Sequence, residues 1–314
     1  MSDFTYISVC SNIEAAHPAL SPLGFRPLAF AEIAETPSAF LKAKFPSIIN
    51  VGDFTQCDYD CFAGHVDLLI GGTPCQSFSL MGEGGADTDP RGQLAYEFFD
   101  LAKKIGSEWV IWENVPEALS ADRGRFFPRL LERASQSGFH VAWRLLDTFQ
   151  FGLPLRRERL FLVGHTLGAE GPCRVLDIEG RGGRGRVSDR EKEIARRLAA
   201  DGDLRPGASA SLWLGSKKPV GRAETVHPLL HEHAKRHAVL RLDGDNQGSG
   251  GSLRLLSALE MERAFGLPDD YTALPGFSER DRQHMLGNTF SPTIVNWIGS
   301  GIVREKAALA TLSR

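Results

Sequence analysis

The sequence predicts an α/β fold, a doubly wound and mostly parallel β-sheet with helices on both faces and a smaller second domain. Strand-like and helix-like segments alternate through the first half of the 314-residue chain, which is typical of sheets built from βαβ units. Several strand-like segments are apolar on consecutive residues, as expected of strands covered on both faces. The length is sufficient for two domains.

Six segments have the composition of short strands bounded by turn residues. Ligands of doubly wound sheets bind at the carboxyl ends of the strands, so the loops that follow these segments are where a functional site is expected. The predicted strands span residues 4–10, 26–33, 66–72, 109–115, 140–148 and 159–165.

Four segments carry the periodicity of amphipathic helices, with apolar side chains on one helix face. In one of them, Ser257 and Glu260 form a capping-box pattern directly before the apolar residues. The predicted helices span residues 91–105, 125–138, 257–266 and 291–312.

The charge of the chain is unevenly distributed. The composition is ordinary for a globular protein, with 42% hydrophobic and 24% charged residues and a net charge of −3. Residues 151–256 contain 19 Lys and Arg against 13 Asp and Glu, a net charge of +6, whereas the remainder has 17 against 26, a net charge of −9. A basic segment can supply phosphate contacts, and the alternative is a solvated, loop-rich insertion.

The cysteines and the N-terminus predict a cytoplasmic protein. The chain has five cysteines, an odd and scattered set that favours reduced thiols. Cys57 and Cys61 are four residues apart, but no second Cys/His pair completes a zinc site, so no metal is predicted. The first residues lack the charged and apolar regions of a secretion signal, and no apolar run approaches the ~20 residues of a membrane span.

A cysteine stands where a buried strand is expected to end. In "GGTPCQSFSLMGEGGADTDPRG" (71–92), Cys75 follows an apolar run and a proline and precedes a polar, glycine-rich stretch. Taken alone, it is as consistent with a buried structural thiol, because free cysteines are commonly buried. Its position at a strand end favours a presented nucleophile.

Charged side chains are predicted at the same edge of the sheet. Glu113 and Asn114 end one predicted strand, and Arg157 and Arg159 come just before another. Each could be an ordinary strand-end or surface charge. A thiol, a carboxyl group and arginines at three strand ends are nevertheless the groups needed for thiolate attack on a heterocycle that must be protonated as charge develops.

With these residues and two further motifs, the sequence resembles the DNA cytosine-5 methyltransferases, most closely the compact kind common in phages and prophages. The motifs fall in the family's order and cover nearly the whole chain except 167–252. They are "PCQSFS" (74–79), "ENV" (113–115), "LRRER" (155–159), "RLLSALEMERAFGLP" (254–268) and "GNTF" (287–290).

The resemblance implies roles for the residues of these motifs. Cys75 is the implied nucleophile toward C6 of cytosine, and Glu113 is implied to hold and protonate N3. Arg159 is implied to brace the base near O2, and Arg157 to position the thiol loop. The target base must then be flipped out of the duplex, with residues 80–92 as a lid. The DNA contacts implied in and after the thiol loop are Gln76, Ser79 and Arg91.

The resemblance also implies S-adenosylmethionine as the methyl donor. Glu32 is implied to bind the ribose hydroxyls, Asp53 to accept from the adenine amino group, and Phe54 to lie against the ring. The full set of implied donor-binding residues is Cys10, Ser11, Asn12, Ile13, Glu32, Ile33, Asp53, Phe54, Pro74, Leu94 and Asn288.

Two residues depart from the family pattern. Asn12 stands where the family has glycine, and asparagine tolerates the left-handed backbone better than most residues. We therefore expect donor binding to survive, with the amide crowding the site or bonding to the donor. Leu155 replaces the usual glutamine of its motif and cannot form that residue's hydrogen bonds.

We interpret the chain as a DNA cytosine-5 methyltransferase. Residues 1–166 are predicted to form a catalytic domain completed by helix 285–314, with residues 167–284 as the target-recognition domain. The expected partner of the monomer is duplex DNA, with or without a paired restriction endonuclease, and neither a membrane nor a metal is expected. Two alternatives stay open, a transfer-RNA cytosine methyltransferase and a DNA-binding relative that has lost catalysis.

Overall fold

The computed structural model describes residues 4–74, 90–153, 155–177, 238–241 and 252–312. Seven of the described strands form one sheet, and two form a separate antiparallel pair. The strands are β1 (Phe4–Val9), β2 (Phe25–Ala31), β3 (Ile49–Asn50), β4 (Leu68–Gly71), β5 (Trp109–Asn114), β6 (His140–Asp147), β7 (Glu158–His165), β8 (Ala238–Arg241) and β9 (Ser252–Leu255).

The large sheet has the strand order β3-β2-β1-β4-β5-β7-β6. The neighbours from β3 to β5 pair in parallel. Only β7 runs the other way, pairing antiparallel with β5 on one side and β6 on the other. Because β7 is reversed, its amino end lies at the edge where β5 and β6 have their carboxyl ends.

Helices cover both faces of this sheet. One face packs against α3 (Pro90–Ile105) and α4 (Phe126–Gln136) through a large aromatic and aliphatic cluster that includes Phe98, Trp112 and Leu130. The other packs against α1 (Ala16–Leu20), α5 (Glu170–Val175) and α8 (Pro292–Leu312) through a cluster that includes Trp109, Phe161 and Ile298. The helices are α1 (Ala16–Leu20), α2 (Glu35–Lys44), α3 (Pro90–Ile105), α4 (Phe126–Gln136), α5 (Glu170–Val175), α6 (Ala258–Phe265), α7 (Glu279–Gly287) and α8 (Pro292–Leu312). Single 3₁₀ turns span Ser21–Leu23, Asp60–Phe62, Pro116–Leu119, Ala121–Gly124 and Thr148–Phe151.

The predicted α/β class and the mostly parallel sheet are confirmed. All six predicted strands and all four predicted helices are present with ends shifted by a few residues, and Ser257 and Glu260 form the predicted capping box. The sequence pattern missed the strands β3, β8 and β9, which have two to four residues, and the helices α1, α2, α5 and α7. Short elements present too few residues for a periodic apolar stripe to be recognised.

A third apolar cluster joins the segment 256–290 to the loop after β1. It includes Ile13 and Ala15 from that loop, Phe40 from α2, and Phe265 and Met285 from α6 and α7. The packing of 256–290 against these residues means that the chain returns to the sheet domain directly after the basic segment 151–256. The proposed domain boundaries stay a prediction, since most of the proposed recognition domain lies outside the described residues.

Within the described ranges, no helix combines the length and the apolar character needed to cross a membrane.

Candidate active site

The candidate site lies at the edge of the sheet where β1, β2, β4 and β5 have their carboxyl ends. The register places Val9 beside Ala31 and Gly71, and Gly71 beside Trp112. The loops that leave these strands therefore begin side by side. Because β7 is antiparallel, its first residues reach the same edge, with Leu160 opposite Asn114.

Thr73, the second residue after β4, is fixed by two side chains of β5. The indole Nε1 of Trp112 donates to Thr73 Oγ1 at 3.0 Å, and Nδ2 of Asn114 donates to the Thr73 carbonyl oxygen at 2.9 Å. Asn114 Oδ1 in turn accepts from the backbone N–H of Val115 at 2.9 Å. All these groups are buried or partly buried, so the start of the segment that carries Cys75 is held rigidly.

The carboxyl group of Glu113 is largely buried and lies beside an arginine. Its side chain is 13% exposed and that of Arg159 is 11% exposed, and Arg159 Nε lies 3.4 Å from Glu113 Oε1. Within the described residues, Oε1 is buried and has no hydrogen-bond partner. Burial raises the pKa of Glu113, and the positive charges of Arg159 and Arg157 oppose that rise. The carboxyl group is thus suited to give up and retake a proton.

Gly72 leaves the space that the Glu113 carboxyl group occupies. A Cβ atom at Gly72 would lie 2.8 Å from Glu113 Oε2 and 3.4 Å from the Glu113 carbonyl oxygen. We expect Gly72→Ala to lower kcat by about 10²-fold, because displacing a reacting group by about 1 Å can cost that much. Steady-state kinetics with a saturating substrate would measure the effect.

The matched control for Gly72→Ala is Gly299→Ala in α8. A Cβ atom at Gly299 would crowd side-chain atoms too, with Leu20 Cδ2 at 2.7 Å and Leu23 Cδ1 at 3.0 Å, but it lies on the helix layer away from Glu113. We expect this variant to keep the parent kcat. Equal losses in the two variants would show that crowding disturbs the fold as a whole and would contradict the role given to Gly72.

Arg157 is buried between the β6–β7 connection and the segment before α8. Its side chain donates through Nη2 to the Thr289 carbonyl oxygen at 2.7 Å, and its guanidinium carbon lies 5.2 Å from the centre of the Phe265 ring. The backbone N–H of Arg157 donates to Asp147 Oδ1 at 3.1 Å and lies 3.2 Å from Thr148 Oγ1. Arg157 therefore ties the site edge to the C-terminal part of the chain.

Leu155 is a packing residue. Its side chain is fully buried in the third apolar cluster, with Ile13 and Phe265 among the other members. Its carbonyl oxygen accepts a hydrogen bond from the Thr148 hydroxyl. The missing glutamine amide is therefore replaced by apolar contact, and the hydrogen bond that shapes this turn comes from Thr148.

The loop after β1 has an unusual backbone. Cys10, Asn12 and Glu14 have φ angles of 51°, 48° and 53°, which is the left-handed region that non-glycine residues seldom adopt. Ser11 stabilises the loop, because its Oγ donates to the Ser8 carbonyl at 2.9 Å and accepts from the Ala31 N–H at 3.2 Å. Every second residue from Cys10 to Glu14 therefore has a left-handed backbone, and Asn12 is the one at which the sequence shows asparagine in place of the family's glycine.

Glu14 is fully buried behind this loop. The Tyr6 hydroxyl lies 3.1 Å from Glu14 Oε1. Burial raises the pKa of Glu14 to about 7, while hydrogen bonds from Ser8, Tyr6 and the His17 backbone oppose the rise. Glu14 faces the interior, so it belongs to the support of the loop.

Glu32 connects the loops that follow β1 and β2. Its Oε2 accepts from the Asn12 N–H at 2.8 Å and its Oε1 from the Ala34 N–H at 2.8 Å. Asn50 of β3 fixes the Glu32 backbone, with Glu32 N donating to Asn50 Oδ1 at 2.9 Å and Asn50 Nδ2 donating to the Glu32 carbonyl at 3.1 Å. Each carboxylate oxygen keeps a lone pair for one more donor.

Cys10, Glu32 and Asp53 converge. Burial, together with the negative charges of Glu32 and Asp53, raises the pKa of the Cys10 thiol to about 12. This thiol is therefore kept protonated and is unsuited to act as a nucleophile. Asp53 is exposed, and its Oδ1 accepts from the Thr55 N–H at 2.9 Å and the Thr55 hydroxyl at 2.8 Å.

Ile33 is 76% exposed next to this polar group, whereas Phe54 is buried in the first core cluster. An exposed isoleucine directly after Glu32 offers an apolar contact next to a hydrogen-bond acceptor, which suits a nucleoside.

The remaining predicted site residues are only partly described. Cys75, Gln76 and Ser79 lie outside the described residues, and Arg91 lies in the first turn of α3 with an undescribed side chain. Pro74 follows the anchored Thr73 and is half-buried, Leu94 packs against the first core cluster, and Asn288 is exposed at the end of α7.

Three residues of the site edge were missed in the sequence. Gly72 and Thr73 directly precede the Pro-Cys pair, and their position at the end of an apolar run could have marked them. Asn50 carries no local signal, because its function depends on pairing of β3 with β2.

Residues 4–176 match the family described as C-5 cytosine-specific DNA methylase. The type II methyltransferase M.NgoBI of Neisseria gonorrhoeae is 28% identical over 254 residues, covering 78% of this chain and 76% of that protein. The DNA N-6-adenine-methyltransferase of Escherichia phage P1 is 33% identical over 279 residues, covering 72% of this chain but only 37% of that protein. This chain thus spans little more than a third of the phage P1 relative.

The solved structure of the Entamoeba histolytica methyltransferase EhMeth has a TM-score of 0.70 to this chain, with 11% sequence identity over 98% of this chain and 99% of the other. At this identity the likeness shows the fold alone, and it agrees with the seven-stranded sheet described above. The family match covers more than half of the chain and includes the strands that carry Glu113 and Arg159, and the chain therefore belongs to the C-5 cytosine-specific DNA methylase family.

Proposed function

We propose that this chain is a DNA cytosine-5 methyltransferase that uses S-adenosylmethionine and a covalent Cys75 intermediate. The observation that carries the proposal is the buried carboxyl group of Glu113 with its raised pKa, 3.4 Å from Arg159. It lies on the strand whose Trp112 and Asn114 anchor Thr73, two residues before Cys75. A proton donor and a cation are thus held beside the segment that carries the thiol.

Cytosine C5 is a weak nucleophile, and the proposed function of Cys75 is to activate it. The thiolate lone pair forms an S–C6 bond, and the electrons of the C5=C6 bond move to C5. Glu113 gives its proton to N3, so that negative charge does not accumulate on the ring. After C5 has accepted the methyl group, the C5 proton passes to water, its electron pair restores the C5=C6 bond, the S–C6 bond breaks and Cys75 leaves as thiolate. The proton on N3 returns to the Glu113 carboxylate, so that the product is neutral.

The arginines have separate functions in this proposal. Arg159 lies within reach of Glu113 and is proposed to brace O2 of the base, where charge develops. Arg157 is buried and bonded to the Thr289 carbonyl, so it is proposed to keep the site edge and the segment after α7 together. Its charge also opposes the pKa rise of Glu113.

The residues after β1, β2 and β3 fit S-adenosylmethionine. Glu32 holds two backbone N–H groups and keeps lone pairs for ribose hydroxyls, and exposed Ile33 offers an apolar surface for a purine. Asp53 is proposed to accept from the adenine amino group. The bound donor supplies an electrophilic methyl group, and the loop 10–13 is proposed to hold its amino-acid part, with Phe54, Pro74, Leu94 and Asn288 around it.

DNA is favoured over RNA as the substrate, because the matched family is one of DNA methylases and the phage P1 relative is named as a DNA methyltransferase. The adenine named in the phage P1 relative is not carried over, since this chain covers 37% of that protein. An exocyclic amine also needs no thiolate addition to become reactive, whereas C5 of cytosine does.

The direct test uses the purified chain with S-adenosylmethionine and, in parallel, unmethylated duplex DNA and unmodified transfer RNA. Mass spectrometry of the digested products is expected to find 5-methyldeoxycytidine in the DNA and no new methyl group in the RNA. N6-methyldeoxyadenosine, or 5-methylcytidine in the RNA alone, would overturn the proposed substrate.

Residues 167–252 are proposed to choose the DNA sequence, because the basic segment of net charge +6, residues 151–256, overlaps them and the rest of the chain is acidic. Exchanging this segment for that of a relative with another target is expected to move the methylated site, as read by bisulfite sequencing. DNA binding is expected to weaken as salt rises, because phosphate contacts release counterions. An unchanged site in the hybrid would contradict this assignment.

A further inference from the structure

We infer that Asn12 is a positioning residue for the methyl donor and that it acts by tying the loop after β1 to the end of α7. The inference rests on the proposed function, since it concerns the donor site named there. Its side-chain Nδ2 donates to the Met285 carbonyl oxygen at 2.7 Å, across 273 positions of sequence. The donor loop is thus bonded to a segment that follows the recognition part of the chain.

The direction of the Asn12 side chain excludes a direct contact with the donor as its main function. The residue is 8% exposed, and Oδ1 is buried without a hydrogen-bond partner among the described residues. An atom that faced an open donor pocket would be in contact with solvent. The amide is directed into the interior, toward α7, so its effect on the donor must pass through the backbone of the loop.

The backbone of Asn12 provides that connection. Its N–H donates to Glu32 Oε2 at 2.8 Å, and Glu32 is the residue proposed to hold the ribose. Asn12 is therefore bonded at one end to the ribose acceptor and at the other to Met285. Fixing the amide of the side chain also fixes the peptide that orients the Glu32 carboxylate.

A second contact supports the loop from the same side. The Tyr271 hydroxyl lies 3.1 Å from the Ile13 carbonyl oxygen and 2.9 Å from that of Glu14. Tyr271 and Met285 belong to the same cluster as Ile13. The donor loop is consequently shaped by residues far downstream, which do not belong to the strand-end loops.

The substitution Asn12→Gly tests whether Asn12 positions the donor-binding loop or only stabilises the fold. Asn12 has a φ angle of 48°, which asparagine tolerates at a small steric cost and glycine adopts at none. Removing the amide loses a hydrogen bond, and removing the Cβ relieves strain, so we expect the melting temperature to stay within about 2 °C of the parent. The donor Kd is expected to rise about 3- to 10-fold, which corresponds to roughly 0.6–1.4 kcal/mol.

Two further variants serve as controls. Asp270→Gly relieves a left-handed residue with a φ angle of 57° whose side chain is 70% exposed, so it is expected to leave the donor Kd unchanged. Asn12→Asp keeps the shape and the tolerance for positive φ but cannot donate to the Met285 carbonyl, so it is expected to weaken donor binding at least as much as Asn12→Gly.

The experiment is calorimetric titration of the full-length protein and these variants with S-adenosylhomocysteine, together with amide hydrogen exchange without ligand. Exchange in 10–14 is expected to be at least about 10-fold faster in Asn12→Gly and unchanged in 109–114. Unchanged donor affinity or unchanged exchange in Asn12→Gly would overturn the inference, and so would a Kd change matched by an equal fall in stability. If the parent itself does not bind S-adenosylhomocysteine, the proposed function is overturned, and the inference that rests on it is overturned too. This result is distinct from a parent that binds and a variant that does not differ from it.

Discussion

Cys75→Ser is expected to abolish methylation, with kcat at least about 10⁴-fold below that of the parent. A serine hydroxyl is scarcely ionised near neutral pH. Of the described site residues, Glu113 is not available as its general base, because Glu113 is required as a proton donor. A duplex that contains 5-fluorocytosine is expected to trap the parent as a covalent adduct when S-adenosylmethionine is present, since fluorine cannot leave C5 as a proton. Denaturing gel electrophoresis would show the adduct.

The control for this experiment is Cys61→Ser, because Cys61 is an exposed free cysteine outside the site. It is expected to form the adduct as the parent does. Trapping by Cys75→Ser at the parent's level would contradict the function given to Cys75 and would leave Glu113 and the arginines without a nucleophile to assist.

Glu113→Gln is expected to lower kcat by about 10³-fold, within the range usual for loss of a general acid. Glutamine has nearly the same shape and can still hydrogen-bond, but it cannot give a proton to N3. In the parent, kcat is expected to fall as pH rises through the raised pKa of Glu113, because the protonated form is the active one. The residual activity of the variant is expected to lack this decline, which pre-steady-state rates between pH 5 and 9 would reveal.

The same substitution is expected to make the protein more stable at pH 8. A carboxyl group whose pKa is higher in the folded than in the unfolded chain stabilises the fold fully below its usual pKa, and this contribution is lost as pH rises through the folded pKa. Glutamine has no such loss. The melting temperature of Glu113→Gln should therefore exceed that of the parent at pH 8 and converge with it toward pH 4.

Glu117→Gln provides the matched control, since Glu117 is exposed on the 3₁₀ turn that follows β5. It is expected to leave kcat and the pH profile of kcat as they are in the parent. Equal behaviour of the two variants, or a Glu113→Gln protein that keeps the parent's pH profile, would contradict the assignment of Glu113 as the acid.

Much of the fold could be predicted because the amino-acid composition of its strands reflects how deeply they are buried. Consecutive apolar residues in β4, β5 and β7 reflect strands covered on both faces, and Ser257 with Glu260 marks the start of α6 through purely local chemistry. The placement of Glu113 at the end of β5 follows from the same pattern. Local periodicity is sufficient for features of this kind.

The rest depends on contacts between distant parts of the chain. The reversal of β7 is set by its partners β5 and β6, and an apolar strand shows no direction in its composition. The contact of Asn12 with Met285 and the burial of Leu155 in the third cluster are likewise tertiary. Sequence reasoning expected the Asn12 amide to meet the donor or crowd its site, whereas the structure gives that amide a partner on α7.

The register of the reversed strand β7 against β5 decides which charged side chain lies beside Glu113. Arg157 and Arg159 are two residues apart and share one side of the extended chain, while Glu158 faces the opposite side. A slip of one residue would bring the carboxylate of Glu158 to the position beside Glu113 and replace attraction by repulsion.

Gly164 opposes such a slip. It pairs with both Val110 and Val141, and a Cβ atom there would lie 2.7 Å from Val110 Cγ2 and 3.1 Å from Val141 Cγ1. After a slip of one residue, a residue with a side chain would take the place of Gly164 and would not fit between those two valines. Gly164 lies roughly 17 Å along the strand from Arg159. Because it has no side chain, it fixes the register of β7 and thereby keeps Arg159, and not Glu158, beside Glu113.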